Sequence, residues 1–417
     1  MSGIFNRISL MISRYLSNRL FMKGQGILLG IMTCMLAAGS FSTVFINTFI
    51  YRFASEGSIL LVIRYNVLMA AFMVLFCCLA GIFAKKMTYE VSMCFGSVVY
   101  VAAYVCLIWF YKEPGKYLAL ISMLSGLGTA FFYISYNSLV NVMVGSFLRK
   151  QYVLFQSIIS VILGILLPVI SGAVILLSGG RAGYVIVFSL CVVMCSVATF
   201  LCFMLPKVRG QSRKTYFANV LLKSVTSKKY FLVSACDLIR GLKEGVLAFL
   251  MPVIILKIAG NELSVGLYVA VCAIAGILGN FLMNKTNITE KLYRPMLVSA
   301  IVQSAVALLL VLWLNLFSVF IFGIVTSLFL PQFQTSLNVE YYSVLDEVDN
   351  KLSRKTLETS CVKEIYFNFG RILSVLMLSL VVQNTFAITV LLFAFFMMQL
   401  VSWMIAASFL KTRKCSE

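Results

Sequence analysis

Apolar positions in this chain come in long runs rather than in alternation. Stretches of roughly 20 mostly apolar residues, the length a helix needs to cross a bilayer, recur twelve times. They fall at 25–51, 58–83, 91–111, 117–144, 152–178, 182–205, 231–256, 264–283, 295–315, 317–339, 361–382 and 385–409. Run length predicts helices, because barrel strands would show shorter segments of alternating polarity. Two polar stretches interrupt the pattern. Residues 206–230, PKVRGQSRKTYFANVLLKSVTSKKY, hold seven bases and no acid and divide the runs six and six. Residues 341–360 mix acids and bases between the tenth and eleventh runs, and their Asp346, Glu347 and Asp349 read as a solvated turn.

Composition closes off the soluble alternatives. Apolar residues make up 61% of the 417 and charged residues 12%, about half the charged share of a soluble protein. Disordered chains are poor in apolar residues, so disorder is excluded as well. The chain reads as an all-α integral membrane protein of twelve transmembrane helices.

The net charge of +20 is explained by where the bases lie. Counted on alternate sides of the spans, twenty-five Lys and Arg share the side of the N-terminus and five (Arg52, Lys112, Lys116, Arg181 and Lys257) the other. Arg64, Arg240, Lys243 and Arg371 fall within spans. By the positive-inside rule both termini are cytoplasmic. The excess then orients the chain and meets anionic lipid headgroups, and no nucleic-acid partner is expected. Residues 1–24 contain no acid and mix Arg with Ile, Leu and Phe, as an amphipathic segment lying on the membrane does. A mitochondrial transit peptide has a similar composition, but twelve short-looped spans favour a bacterial cytoplasmic membrane. The expected organisation is a cytoplasmic amphipathic segment (1–24), a six-helix bundle (25–205), a basic linker (206–230), a second bundle (231–410) and a cytoplasmic tail (411–417).

Several chemistries are unsupported. The chain has no His, and its twelve Cys sit almost entirely in apolar stretches without disulfide or metal spacing, so no metal or other cofactor is expected. No phosphate-binding loop of the GxxxxGK[ST] type occurs, which leaves an ion gradient or the solute's own gradient as the energy source.

The two halves look like distant repeats. Offset by 197 residues, Gly126 falls on Gly323, Thr129 on Thr326, Phe132 on Phe329 and Asn141 on Asn338. Parallel six-span repeats are a known transporter plan. With both ends inside and a long basic central loop, residues 25–410 resemble the major facilitator superfamily of secondary transporters. Its short motifs are degenerate here. After the second span Gly81 and the basic Lys85 and Lys86 are present, without the family's Asp; in the fifth, Pro168 and Gly172 fit and the paired glycines do not. The resemblance implies that spans one, four, seven and ten line a central cavity, that two, five, eight and eleven flank it, and that the rest lie outside.

An ionisable group facing lipid costs on the order of 2.5–3.5 kcal/mol or more, so buried charges mark a cavity or a partner. Nearly all of them lie in two spans. In the seventh, Asp237, Arg240 and Glu244 share one helix face, with Lys243 about 100° from Glu244 around the axis. In the eleventh, Glu364, Asn368 and Arg371 stack on one face. Glu244, Asp237 and Glu364 are the candidate proton carriers, since burial and an adjacent cation act oppositely on a carboxyl and together can poise it. Arg240, Lys243, Arg371 and Asn368 would engage an anionic part of a solute. The bland alternative is that these groups only neutralise one another, although buried ion pairs gain little over apolar packing. Tyr133, Asn137 and Asn141 in the fourth span, and Gln334 and Asn338 in the tenth, form polar stripes that either face the cavity or bond helix to helix. Glycines 26, 30, 39, 126 and 128 read as sites of close helix approach.

The expected function is secondary transport of a small organic solute, anionic or amphipathic, by a monomer using alternating access. Proton coupling and export are the expected mode. A lipid or glycolipid flippase on the same fold is the near alternative. A lipid-modifying membrane enzyme is the distant one, disfavoured by the missing His, metal cluster and Asp-rich surface motif; a non-transporting sensor would not need midplane charges. From helix rise, Glu244 and Arg371 lie near the midplane and are expected to pair in at least one state. Reversing both charges restores activity lost in either single reversal, and absence of rescue in a flux assay counts against that pairing.

Overall fold

A computed structural model describes residues 23–53, 59–111, 114–144, 146–207, 216–285, 293–349 and 356–414. The amphipathic segment expected at 1–24 lies outside them except for its last two residues, as do residues 415–417 of the tail. All regular structure among the described residues is helical. The first six spans are α1 (Lys23–Phe53), α2 (Ile59–Lys86), α3 (Tyr89–Trp109), α4 (Leu118–Met143), α5 (Ser146–Leu177) and α6 (Arg181–Phe203). A ten-residue helix, α7 (Phe217–Thr226), lies within the linker. The second six are α8 (Lys228–Ala259), α9 (Glu262–Lys285), α10 (Tyr293–Leu312), α11 (Leu316–Val348), α12 (Thr356–Val381) and α13 (Thr385–Lys414).

Eleven of these are long and apolar enough to cross a membrane. The twelfth is α8, equally long at 32 residues, whose Asp237, Arg240, Lys243 and Glu244 lower its apolar content. The helix that holds these four charged side chains is thus the one that length and apolar content alone pass over. Two sequence expectations need correction. Helix α11 continues to Val348, so Asp346 and Glu347 sit on its last turn and Asp349 caps it: the segment is helical rather than a turn, although Asp346 and Glu347 are exposed as expected. Glycines 26, 30 and 39 receive no close neighbour, whereas Gly126 seats Phe72 and Gly128 seats Tyr100.

The helices form two six-helix bundles. In the first, α3 packs on α4 and α6, α2 on α4, and α1 on α5 and α6; in the second, α8 packs on α12 and α13, and α11 on α9 and α10. The bundles meet chiefly through α5 against α9 and α2 against α12, a pair of contacts that the internal repeat relates to each other. Gly126 of α4 faces α2 and Gly323 of α11 faces Tyr268 of α9, so the repeated glycine does the same job in both halves. Bulky apolar side chains such as Phe200, Val193, Leu308 and Leu312 are exposed on the outer helices α6 and α10, as a lipid-facing surface requires.

Both ends of the cleft between the bundles are bridged. At the basic end Lys85 of α2 meets Glu358 of α12 at 2.5 Å. At the opposite end Arg52 of α1 is ion-paired with Glu262 of α9, which also accepts a hydrogen bond from Tyr184 of α6 at 3.1 Å. The closest helix pair is α8 on α12. A Cβ at Gly241 would overlap the carbonyl oxygen of Phe367, and one at Gly370 the carbonyl oxygen of Leu238. Small residues let these backbones touch, which is how helices associate where lipid removes the hydrophobic drive. Gly241→Val is therefore expected to destabilise the protein by about 1–3 kcal/mol through overpacking, read as a lowered melting temperature in detergent, while Gly26→Ala leaves it unchanged.

Candidate functional site

The contact between α8 and α12 sets the two charged faces against each other. Arg240 donates from Nε to Glu244 Oε1 at 2.9 Å along its own helix and keeps Asp237 at 3.9 Å. Its guanidinium also lies 4.8 Å from the ring centre of Phe367 on α12. Glu244 Oε1 takes a second bond, at 2.8 Å, from Gln334 of α11. One arginine thus serves two carboxylates unequally. Asp237 is fully buried and neither of its oxygens accepts a hydrogen bond. A bare carboxylate in that state is costly; a proton, or a turn of Arg240 toward it, removes the cost.

On α12 the stripe is a hydrogen-bonded ladder. Asn368 donates to Glu364 Oε2 at 3.2 Å and accepts from Arg371 Nη1 at 3.3 Å. Glu244 pairs with Arg240, and no ion pair joins it to Arg371 in this conformation, although the two remain within electrostatic reach. The local i,i+4 geometry wins because Arg240 needs no movement between helices to reach its partner.

A cavity of about 500 Å³ opens between the bundles beside this array. The first bundle contributes Thr129, Tyr133, Asn137 and Ser138, and the second Arg240, Asn338, Tyr342, Lys363 and Glu364. Its lining lies toward the basic end, near the start of α12 and the end of α4. Of the residues expected from sequence, Arg240, Glu364, Tyr133, Asn137 and Asn338 face it directly. Glu244 and Gln334 stand behind Arg240, Asp237 is enclosed next to it, and Asn368 and Arg371 continue along α12. The side chain of Asn141 lies outside the described residues.

Lys243 is placed elsewhere. It is fully buried inside the second bundle, donating to Gln303 of α10 at 3.2 Å and Gln399 of α13 at 3.1 Å. The faces of Phe333 and Phe396 lie 5.3 and 5.5 Å from its ammonium. The 100° offset from Glu244 turns it away from the cavity. Two amide oxygens and two aromatic faces substitute for a counter-ion.

Sequence reasoning passed over Lys363, Phe367 and Tyr342. Lys363 reads as one more basic residue at the start of a span, yet it bonds Asn338 Oδ1 and lies 4.7 Å from the ring centre of Tyr341. Its position next to Glu364 was the available signal. Phe367 shows no signature among so many apolar residues, but it also receives Arg371, at 5.8 Å.

No protein-family model matches the chain. It is 22% identical over 344 residues to the uncharacterized protein YqgE of Bacillus subtilis (strain 168), across 82% of this chain and 78% of that one. Among solved structures, it superposes on the nucleoside transporter NupG with a TM-score of 0.68 at 12% identity, across 94% of this chain and all of that one. A structure solved for substrate recognition in proton-dependent oligopeptide transporters gives the same TM-score at 10% identity, over 94% and 99% of the two chains. The fold is accordingly the two-bundle, twelve-helix fold of the major facilitator superfamily.

Because Lys243 does not line the cavity, Lys243→Met is expected to lower the melting temperature in detergent while leaving the binding of any small molecule that occupies the cavity unchanged. Arg240→Met changes that binding; an equal effect of both substitutions on it would contradict the placement.

Proposed function

We propose that this protein is a secondary active transporter that carries a small organic solute through the cavity between its bundles by alternating access, coupled to protons and working as an exporter. The observation that carries the reading is Arg240, which lines the cavity while dividing itself between Glu244 and Asp237. A proton arriving on Glu244 weakens its bond to Arg240 and frees the guanidinium for Asp237 or for the solute. Proton binding and solute binding are then coupled through one side chain. Asp237 and Glu364 are the other carboxylates of the relay. Asn137, Asn338 and Tyr133 supply uncharged hydrogen bonds, and Lys363 joins Arg240 in attracting an anionic or amphipathic cargo.

The bridges Arg52–Glu262 and Lys85–Glu358 span the cleft at its two ends and would break in turn as the bundles rock. A cavity of about 500 Å³ is within the range of about 300–1,000 Å³ that holds small molecules. Its size suits cargo of the kind named for the two neighbours, nucleosides and short peptides. In this reading the protein is a monomer of the bacterial cytoplasmic membrane, needs no cofactor, catalyses no reaction, and presents its basic end and both termini to the cytoplasm.

The test is flux in proteoliposomes under an imposed pH gradient, using nucleosides, dipeptides and an amphipathic dye as solutes. The intact protein is expected to accumulate one of these classes in response to the gradient. Glu244→Gln retains exchange without a gradient but loses at least about tenfold of the gradient-driven accumulation, the effect of removing an interaction worth about 1.4 kcal/mol. Flux indifferent to both the gradient and the substitution removes proton coupling.

A further inference from the structure

A second, smaller chamber of about 140 Å³ opens beside the first. Thr129 and Tyr133 line both, so the two are contiguous. The chamber is built almost wholly from the first bundle. Its walls carry hydroxyls and amides, including Ser42, Asn47, Asn66 and Ser125, and the rings of Tyr65, Tyr100 and Tyr104. These groups largely satisfy one another: Ser42 with Tyr104 at 2.6 Å, Asn66 to Asn47 at 2.8 Å, and Tyr100 with Thr129 at 2.7 Å. A single charged residue reaches it from the other bundle, Arg371 of α12.

That arginine is under-used. A guanidinium has five N–H donors. Among the described residues Arg371 makes one hydrogen bond, the 3.3 Å contact with Asn368, and no ion pair within 4.0 Å. Tyr133, which lines the same chamber, makes no side-chain hydrogen bond among the described residues. A cation within the membrane span that touches no carboxylate is expensive; Glu244 and Glu364 act on Arg371 only at longer range, and none of the residues lining the chamber is a carboxylate. We infer that the chamber is the subsite for the head group of the carried solute, a monoanionic carboxylate that docks on Arg371 while the remainder of the solute occupies the larger cavity. The inference rests on the transport reading and specifies the substrate class for it.

Three features select a carboxylate. The planar guanidinium fork matches it with two parallel bonds. One positive charge balances one negative charge, whereas a dianionic phosphate would keep a charge unpaired in a chamber with no second cation. The volume is close to that of an engineered cavity of about 150 Å³ that accepts benzene, so a carboxylate on a single ring or a short chain fits among the tyrosines. Because Arg371 belongs to one bundle and nearly all the remaining walls to the other, an anion bound here ties the two bundles together, which is the contact a carried solute must make to bias their rocking.

Binding can be measured without turnover, by thermal unfolding of the purified protein in detergent with benzoate, benzamide, benzylamine and phenylphosphonate as probes. Benzoate is expected to raise the melting temperature in a saturable way, while benzamide and benzylamine do not, and phenylphosphonate does so less than benzoate. Arg371→Lys weakens benzoate about tenfold because the fork is lost, and Arg371→Gln abolishes its effect. Gly39→Leu supplies an independent check. A Cβ at Gly39 meets nothing closer than Thr43 Oγ1 at 3.8 Å, and Gly39 lines the chamber, so a leucine there is expected to fill it and abolish the benzoate effect, with an unchanged melting temperature in the absence of benzoate as the check that the fold is kept. Equal stabilisation by benzamide, a stronger effect of phenylphosphonate, no benzoate effect on the intact protein, or benzoate binding that survives Arg371→Gln or Gly39→Leu would each overturn the assignment. None of these outcomes bears on gradient-driven flux, so this inference and the transport reading fail separately.

Discussion

A charge in an apolar, membrane-spanning helix must find a partner or a wet space, because the surrounding lipid offers neither. That constraint organises the second bundle. Gly241, Gly245 and Gly370 bring α8 and α12 into backbone contact, and the charged faces of the two helices are thereby held at the edge of the central cavity. Arg240 is the hub: a carboxylate on either side along its own helix, an aromatic ring across the interface, and the cavity in front. Enlarging any of these glycines would separate the helices and strand the ions.

The two bundles share a plan but not a chemistry. Repeated glycines seat equivalent neighbours, and equivalent helix pairs form the interface. Yet the first bundle meets the cavity with phenols, hydroxyls and amides, whereas the second brings the ionisable groups. In the proposed carrier, the neutral wall would recognise shape and hydrogen bonds, the charged wall would supply the groups that respond to ions, and a solute touching both would couple them.

Much of the site was legible along the chain because helical spacing and burial are one-dimensional properties. Asp237, Arg240 and Glu244 share a face by count alone, as do Glu364, Asn368 and Arg371, and the structure shows those faces opposed. Spacing could not say which ion pairs with which. Glu244 lies on Arg240 instead of Arg371, since the choice depends on side-chain reach across a particular interface. Lys363 was legible only as a base. Its cavity position follows from where α12 begins relative to α11, and its aromatic neighbours come from a different helix.

Hydrophobic run length and the distribution of Lys and Arg determined, without any coordinates, that the chain spans a membrane in twelve helices arranged six and six, because the cost of exposing polar groups to lipid is paid residue by residue. What only the tertiary structure decided is which faces meet. The inward turn of Lys243 toward Gln303 and Gln399, the bridges closing both ends of the cleft, and the Arg371 chamber all depend on the rotation and separation of neighbouring helices. Those are set by which small residues permit contact across the whole bundle, and no local stretch of sequence contains them.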